Sequence, residues 1–216
     1  MEKKRTGQAI AIMALVVGVV GVSIGFSAFS NALKIQSSAT VTPDKDTLNV
    51  DFSSSDQSVD ASEIVPTVTG SIQATNAIIN NTNDPTISNL SATFTEPGQS
   101  ATYSFYAYNA GELTAYLKSI IYGNATGETT NKVCKAKEGT TDALVQKACG
   151  GISLKVKVGT EADTTSGIGS VASHSLKKAT GEAVTVTLEY AAGAERADGD
   201  FTVSFGDVTL NYSSAD

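Results

Sequence analysis

Beyond Leu33 the chain keeps a single period, and that period is two. The stretch "ISLKVKV" states it most cleanly, with Ile152, Leu154, Val156 and Val158 alternating with Ser153, Lys155 and Lys157. Successive side chains of an extended strand point to opposite faces, so this pattern predicts a strand with one buried face. The same habit recurs in "TLNVDFSSS" (Leu48, Val50, Phe52), "TISNLSATFT" (Leu90, Ala92, Phe94) and "AVTVTLEY" (Val184, Val186, Leu188, Tyr190). "SATYSFYAYNAG" sets Ala101, Tyr103, Phe105 and Ala107 against Tyr106 and Tyr108. "ELTAYLKSIIYG" puts Leu113, Ala115, Leu117, Ser119 and Ile121 in one register. "FTVSFGDVTLNYS" offers Phe201, Val203 and Phe205, then Val208, Leu210 and Tyr212 after a break at Gly206-Asp207 that reads as a bulge or a tight turn. About eight or nine short strands between turn clusters predict an all-β fold, a jelly-roll or Ig-like antiparallel β-sandwich.

Helix signals are few. "TTDALVQKAC" is the one candidate beyond the N-terminus, with Thr140 or Thr141 as N-cap and Asp142 near the positive end of the dipole. "ASEIV" fits a single helical turn, and "GTEADTTSGIGSVAS" carries no usable period. No repeat at fixed spacing and no compositional break calls for a second folded domain.

The first thirty residues differ in kind. Lys3, Lys4 and Arg5 precede a run from Ala9 to about Phe29 that holds no charge, and small residues follow where it ends. Cleavage among Ser27, Ala28, Ser30 and Ala32 would make residues 1–30 a signal peptide and residues 31–216 one sandwich domain. A run of about 20 apolar residues is also long enough to span a bilayer, so residues 9–29 fit a retained anchor helix as well. A pilin-type start at Gln8 is the third reading, although Ile12 stands where bacterial pilins carry Glu.

The formal net charge is −7, and the three basic residues ahead of the apolar run leave the remainder more acidic still. Such a domain repels phosphate backbones, which argues against nucleic acid as a partner. Cys134 and Cys149 are the only cysteines, an even pair in a chain that reads as exported, so a disulfide around the short helix is expected. His174 is the sole imidazole and stands without a GxSxG elbow or an HExxH helix, so the chain is read as non-enzymatic and without a cofactor. Glu195, Asp198 and Asp200 gather around Gly199 and form a weak calcium candidate without EF-hand spacing; no other metal set is apparent.

"GFSAFSNALKIQSSATVTPD" resembles the N-termini of Gram-positive surface proteins exported through a SipW-type signal peptidase, the TasA and camelysin families. "FTEPGQSATYSFYAYNAGELTAYLKSI" is similar to the PG…Y.F…N.G segment common in that group. The match covers residues from about Gly21 to Asp44 and from Phe94 to Ile121. The resemblance implies a jelly-roll-like protein that is secreted or displayed on the surface of a Gram-positive-type bacterium. It also implies a structural subunit of a biofilm-type matrix that partners itself or other surface proteins, with the membrane met at least during export. In TasA-like fibres the mature N-terminal segment completes the next subunit. Transferred here, the donor would be about Phe29 to Val41, with Leu33, Ile35 and Val41 as its apolar residues. Camelysins are described as proteases, an activity not carried over because the chain lacks recognisable zinc ligands.

Overall fold

The computed structural model describes residues 48–57, 61–82, 84–160 and 174–214. The apolar N-terminal run, Ser27, Ala28, Ser30 and Ala32 of the cleavage region, and Leu33, Ile35 and Val41 of the assembly stretch lie outside them. The chain divides into Met1–Thr42 and Pro43–Asp216, and all described residues belong to the second unit.

In chain order the first strands are β1 (Val50–Ser53), β2 (Glu63–Ile64), β3 (Thr67–Thr69), β4 (Gln73–Ala74) and β5 (Ala77–Asn80). Then come β6 (Thr86–Ser88), β7 (Ser91–Phe94), β8 (Ser100–Asn109), β9 (Ala115–Tyr122) and β10 (Lys132–Ala136). Helix α1 (Asp142–Cys149) precedes β11 (Ile152–Val158), β12 (Ser175–Leu176), β13 (Gly181–Tyr190), β14 (Phe201–Phe205) and β15 (Val208–Ser213). The first sheet runs β1-β8-β13-β11, with β3 also on β8; the second runs β12-β9-β15-β6-β5-β2 and the third β10-β14-β7-β4. Every pairing is antiparallel. The expected all-β sandwich with one short helix is therefore what the described residues form.

Among the described residues fifteen strands stand where eight or nine were expected, in part because several continuous segments are cut at one line. β4–β5, β6–β7 and β14–β15 each pass between the third and second sheets, breaking at Thr75-Asn76, Asn89-Leu90 and Gly206-Asp207. Hydrogen bonds bridge the line. Thr75 N–H donates to Ser91 O at 3.0 Å, Phe205 N–H to Leu90 O at 2.8 Å and Gly123 N–H to Asp207 O at 2.7 Å. The second and third sheets are thus one sheet folded along a corner. Gly206-Asp207 is where the strand turns that corner, not a hairpin turn, and the backbones come so close that a side chain on Gly206 would put Cβ 2.3 Å from Gly123 O.

Burial follows the alternation except around β9, where Leu113 ahead of the strand is exposed and the register changes within it, and except for one reassigned segment. On β8, Ala101, Tyr103, Phe105 and Ala107 face the core, while Tyr106 and Tyr108 are half-buried on the outer face. On β9, Ala115 and Leu117 are buried as expected, but Ile120 is inside and Ile121 is 48% exposed. The register against β15 shifts between Asn211 and Tyr212, which pair with Ser119 and Leu117 and leave Lys118 unopposed. An extra residue in a period-two strand sends every later side chain to the other face. "ASEIV" forms strand β2 rather than a helical turn, since Glu63 and Ile64 find Ile78 and Ala77 as cross-strand partners.

The layers meet over an aromatic cluster. Phe94 and Phe201 of the third sheet enclose Tyr190 of the first, with ring centroids 5.8 and 5.6 Å away in edge contacts, and all three are fully buried. Aromatic rings prefer such edge contacts because the positive rim of one ring meets the negative face of another. The Tyr190 hydroxyl donates to Glu195 O, and that of Tyr103 to Thr75 O at 2.9 Å. Burial pushes the Tyr103 hydroxyl up to about 12.

Candidate functional site

Cys134 and Cys149 form the disulfide, with Cα atoms 6.1 Å apart, and it ties the C-terminal end of α1 to β10. Thr141 is the N-cap residue of α1, yet its side chain does not cap the helix. Its hydroxyl and its N–H donate instead to the two carboxylate oxygens of Asp198. Those bonds, the hydroxyl one foremost, hold the Asp198 carboxyl below its ordinary range. The stabilisation it gives is therefore complete above the ordinary carboxylate range and is lost as pH falls through the depressed native value. Unfolding midpoints measured toward acid pH should fall more steeply for the wild type than for Asp198→Ala, and equal slopes would count against this role.

The calcium candidate takes a different form from that expected. Asp198 is committed to Thr141, the backbone carbonyls of Glu195 and Asp200 accept from Tyr190 and Thr140, and no group of three or more His, Cys, Asp or Glu among the described residues is placed to hold a metal. Calcium is thus not supported at these residues; the Asp-Gly turn serves to fix α1.

His174 is buried, with Nδ1 3.3 Å from the Glu182 carboxylate, which β13 turns toward the interior. Tyr212 lies near that carboxylate. Its buried hydroxyl has no hydrogen-bond partner among the described residues, and burial, then the charge of Glu182, pushes its ionisation upward. Two recesses at the sheet corner share Asp207: one of about 260 Å³ reaches Ser91, Lys135 and Ser204, the other of about 390 Å³ reaches Asn80, Asp84 and Thr209. Among the described residues no helix is long and apolar enough to cross a membrane.

A sheet edge offers more than these recesses do. Unpaired N–H and C=O groups along an edge are templates for another strand, and folded proteins blunt most of them. Here β2, β4 and β12 end their sheets with two residues each, and Pro66 follows close on β2. The β1 edge is closed by a side chain. Phe52 N–H donates to Asn81 Oδ1 at 2.8 Å and Asn81 Nδ2 to Phe52 O at 3.0 Å, just as a neighbouring strand would bond. The β10 edge lies beside α1, where Gln146 Nε2 reaches Cys134 O and Lys132 Nζ donates to Cys149 O at 2.8 Å.

Among the described residues, strand β11 is the longest that ends a sheet, and no described strand pairs with its outer edge. Ala191 N–H donates to Gly151 O and Gly159 N–H to Ala183 O. Because bonding alternates along an antiparallel pair, these two bonds fix which residues face β13. Ser153, Lys155 and Lys157 turn their backbone groups toward β13, whereas Leu154, Val156 and Val158 turn theirs away. No backbone partner among the described residues meets those three. Lys132 Nζ holds the preceding outward carbonyl, Ile152 O, at 2.5 Å, and burial pushes this lysine down from its ordinary value. On the outer face Lys155 is paired with Glu189, and Lys157 is exposed. The sequence identified β11 as a strand, but its place at the end of a sheet depends on the pairing order, for which a single sequence carries no signal.

Compared with family models, curated proteins and solved structures, the chain finds no match in any of the three.

Proposed function

We propose that the chain is a non-catalytic structural protein of a cell surface or extracellular matrix, exported by its N-terminal segment and acting through addition of a strand to β11. The observation that supports this reading is the β11 edge, unpaired among the described residues, in a fold whose β1 edge is closed by Asn81 and whose β10 edge is flanked by α1. Main-chain hydrogen bonds supply affinity in strand addition, and alternate side chains supply selection. The donor implied by the resemblance is the stretch Phe29 to Val41 of a second copy.

Two measurements test this. Intact mass of the exported protein should give a mature start between Ala28 and Leu33. A start at Gln8, or an uncut chain, would move the protein to a pilus or a membrane anchor. On assembly, hydrogen exchange at the Leu154, Val156 and Val158 amides should slow markedly, while the β13-bonded amides of Ser153, Lys155 and Lys157 change little. Assembly with those three amides still exchanging freely would rule out β11 as the acceptor. Fibres that still form after deletion of Phe29 to Val41 would rule out that stretch as the donor.

A further inference from the structure

We infer that Asn80 is a glycosylation site, whose side-chain amide carries a glycan with a neutral first sugar on the exported protein. This acceptor role rests on export, one part of the reading above, and does not depend on β11. Four Asn-x-Ser/Thr sequences occur, at Asn80, Asn89, Asn124 and Asn211. In an exported chain such a sequence serves as an acceptor where it lies on the surface, with its amide nitrogen free and room for a bulky group. The fold separates the four. Asn211 is half-buried within β15, where it pairs with Ser119 of β9. Asn89 is exposed, but its Nδ2 donates to Asn76 O at 2.8 Å. Asn124 is exposed too, yet no hydrogen bond among the described residues orients its carboxamide, and it lines neither recess at the sheet corner.

Asn80 meets each condition. It is the last residue of β5, and both it and Thr82 are exposed. Thr82 N–H donates to Asn80 Oδ1 at 2.9 Å, which holds the carboxamide by its oxygen. Nδ2 then has no partner among the described residues. Beside it lies the recess of about 390 Å³, lined also by Asp84, Thr86, Asp207 and Thr209. Carboxylates and hydroxyls there suit the hydroxyl groups of a sugar, and the two carboxylates disfavour one that carries negative charge. The reaction is a glycosyl transfer from a lipid-linked sugar phosphate, catalysed by a separate transferase of the exporting cell. A bond forms between Asn80 Nδ2 and C1 of the sugar while the bond from C1 to the phosphate oxygen breaks. The lipid phosphate leaves with that electron pair, and Nδ2 gives up one proton.

Peptide mapping by mass spectrometry, on the protein purified from the cells that export it, provides the test. The peptide holding Asn80 should carry a glycan whose first sugar is a hexose or an N-acetylhexosamine. That added mass should vanish in Asn80→Gln and in Thr82→Ala, and the latter keeps the Thr82 N–H that bonds Asn80 Oδ1. It should persist in Thr82→Ser, which keeps the hydroxyl, and in Asn124→Gln. A bare Asn80 peptide would overturn the inference, as would added mass found on the Asn124 peptide alone. A first sugar bearing a carboxylate would overturn the neutral assignment and the part given to the recess. The N-terminal peptide of the same digest reports the mature start. A start between Ala28 and Leu33 with Asn80 bare therefore strikes the glycan and leaves the export reading standing.

Discussion

Phe94→Ala should lower the unfolding free energy by about 3–5 kcal/mol, the range for removing a fully buried aromatic side chain. Phe94 is fully buried, and its ring lies between Tyr190 of the first sheet and Phe201 beside it in the third, with centroids 5.8 and 6.3 Å away. Its loss removes apolar burial, two ring contacts and the packing that orients the Tyr190 hydroxyl toward Glu195 O. Collapse into the space is hindered because both flanking rings belong to strands paired on each side. Phe94→Leu keeps most of the volume and should cost clearly less. Urea unfolding with an unchanged m-value would measure both. A loss below about 1 kcal/mol for the alanine variant would mean that the layers do not depend on this cluster.

The second large effect is expected at the disulfide. Replacing both Cys134 and Cys149 by Ala opens a loop whose ends are 15 residues apart. The chain-entropy treatment assigns about 3 kcal/mol to a loop of that length. For a domain of this size, that corresponds to a melting temperature lower by roughly 6–12 °C. The damage should be uneven. α1 would keep the Asp198–Thr141 bonds at its N-terminal end and lose its covalent tie to β10 at the other. Exchange at the outward-facing β10 amides should therefore rise more than exchange within β8 and β13. An equal melting temperature for the oxidised wild type and the double variant would show that the bridge adds nothing beyond the Lys132 and Gln146 contacts.

Much of the fold was legible because burial follows a period of two. β8, β11, β13, β14 and β15 all lie where alternation placed them, and the cysteine pair and the short helix lie together as their spacing suggested. The misses share a physical origin. Alternation cannot register the unopposed Lys118 of β9, because a bulge is defined by what stands across from it. It also cannot distinguish a hairpin break from a corner at Gly206-Asp207, since the distinction lies in which sheet the next strand joins. The acidic trio gave no hint of Thr141 as the partner of Asp198, because Thr141 is 57 residues away.

The sequence by itself determined that the chain forms strands, which side chains enter the core along most of them, and which two cysteines are there to pair. Those properties are local or follow from counting. Tertiary structure decided which strands stand at the ends of sheets. Asn81 closes the β1 edge across 29 residues, and α1 lies beside the β10 edge, while Leu154, Val156 and Val158 keep their outward hydrogen-bonding groups open among the described residues. Whether a backbone group meets a partner or ends a sheet depends on residues remote in sequence, so only the folded chain reveals that β11 stands at the end of its sheet.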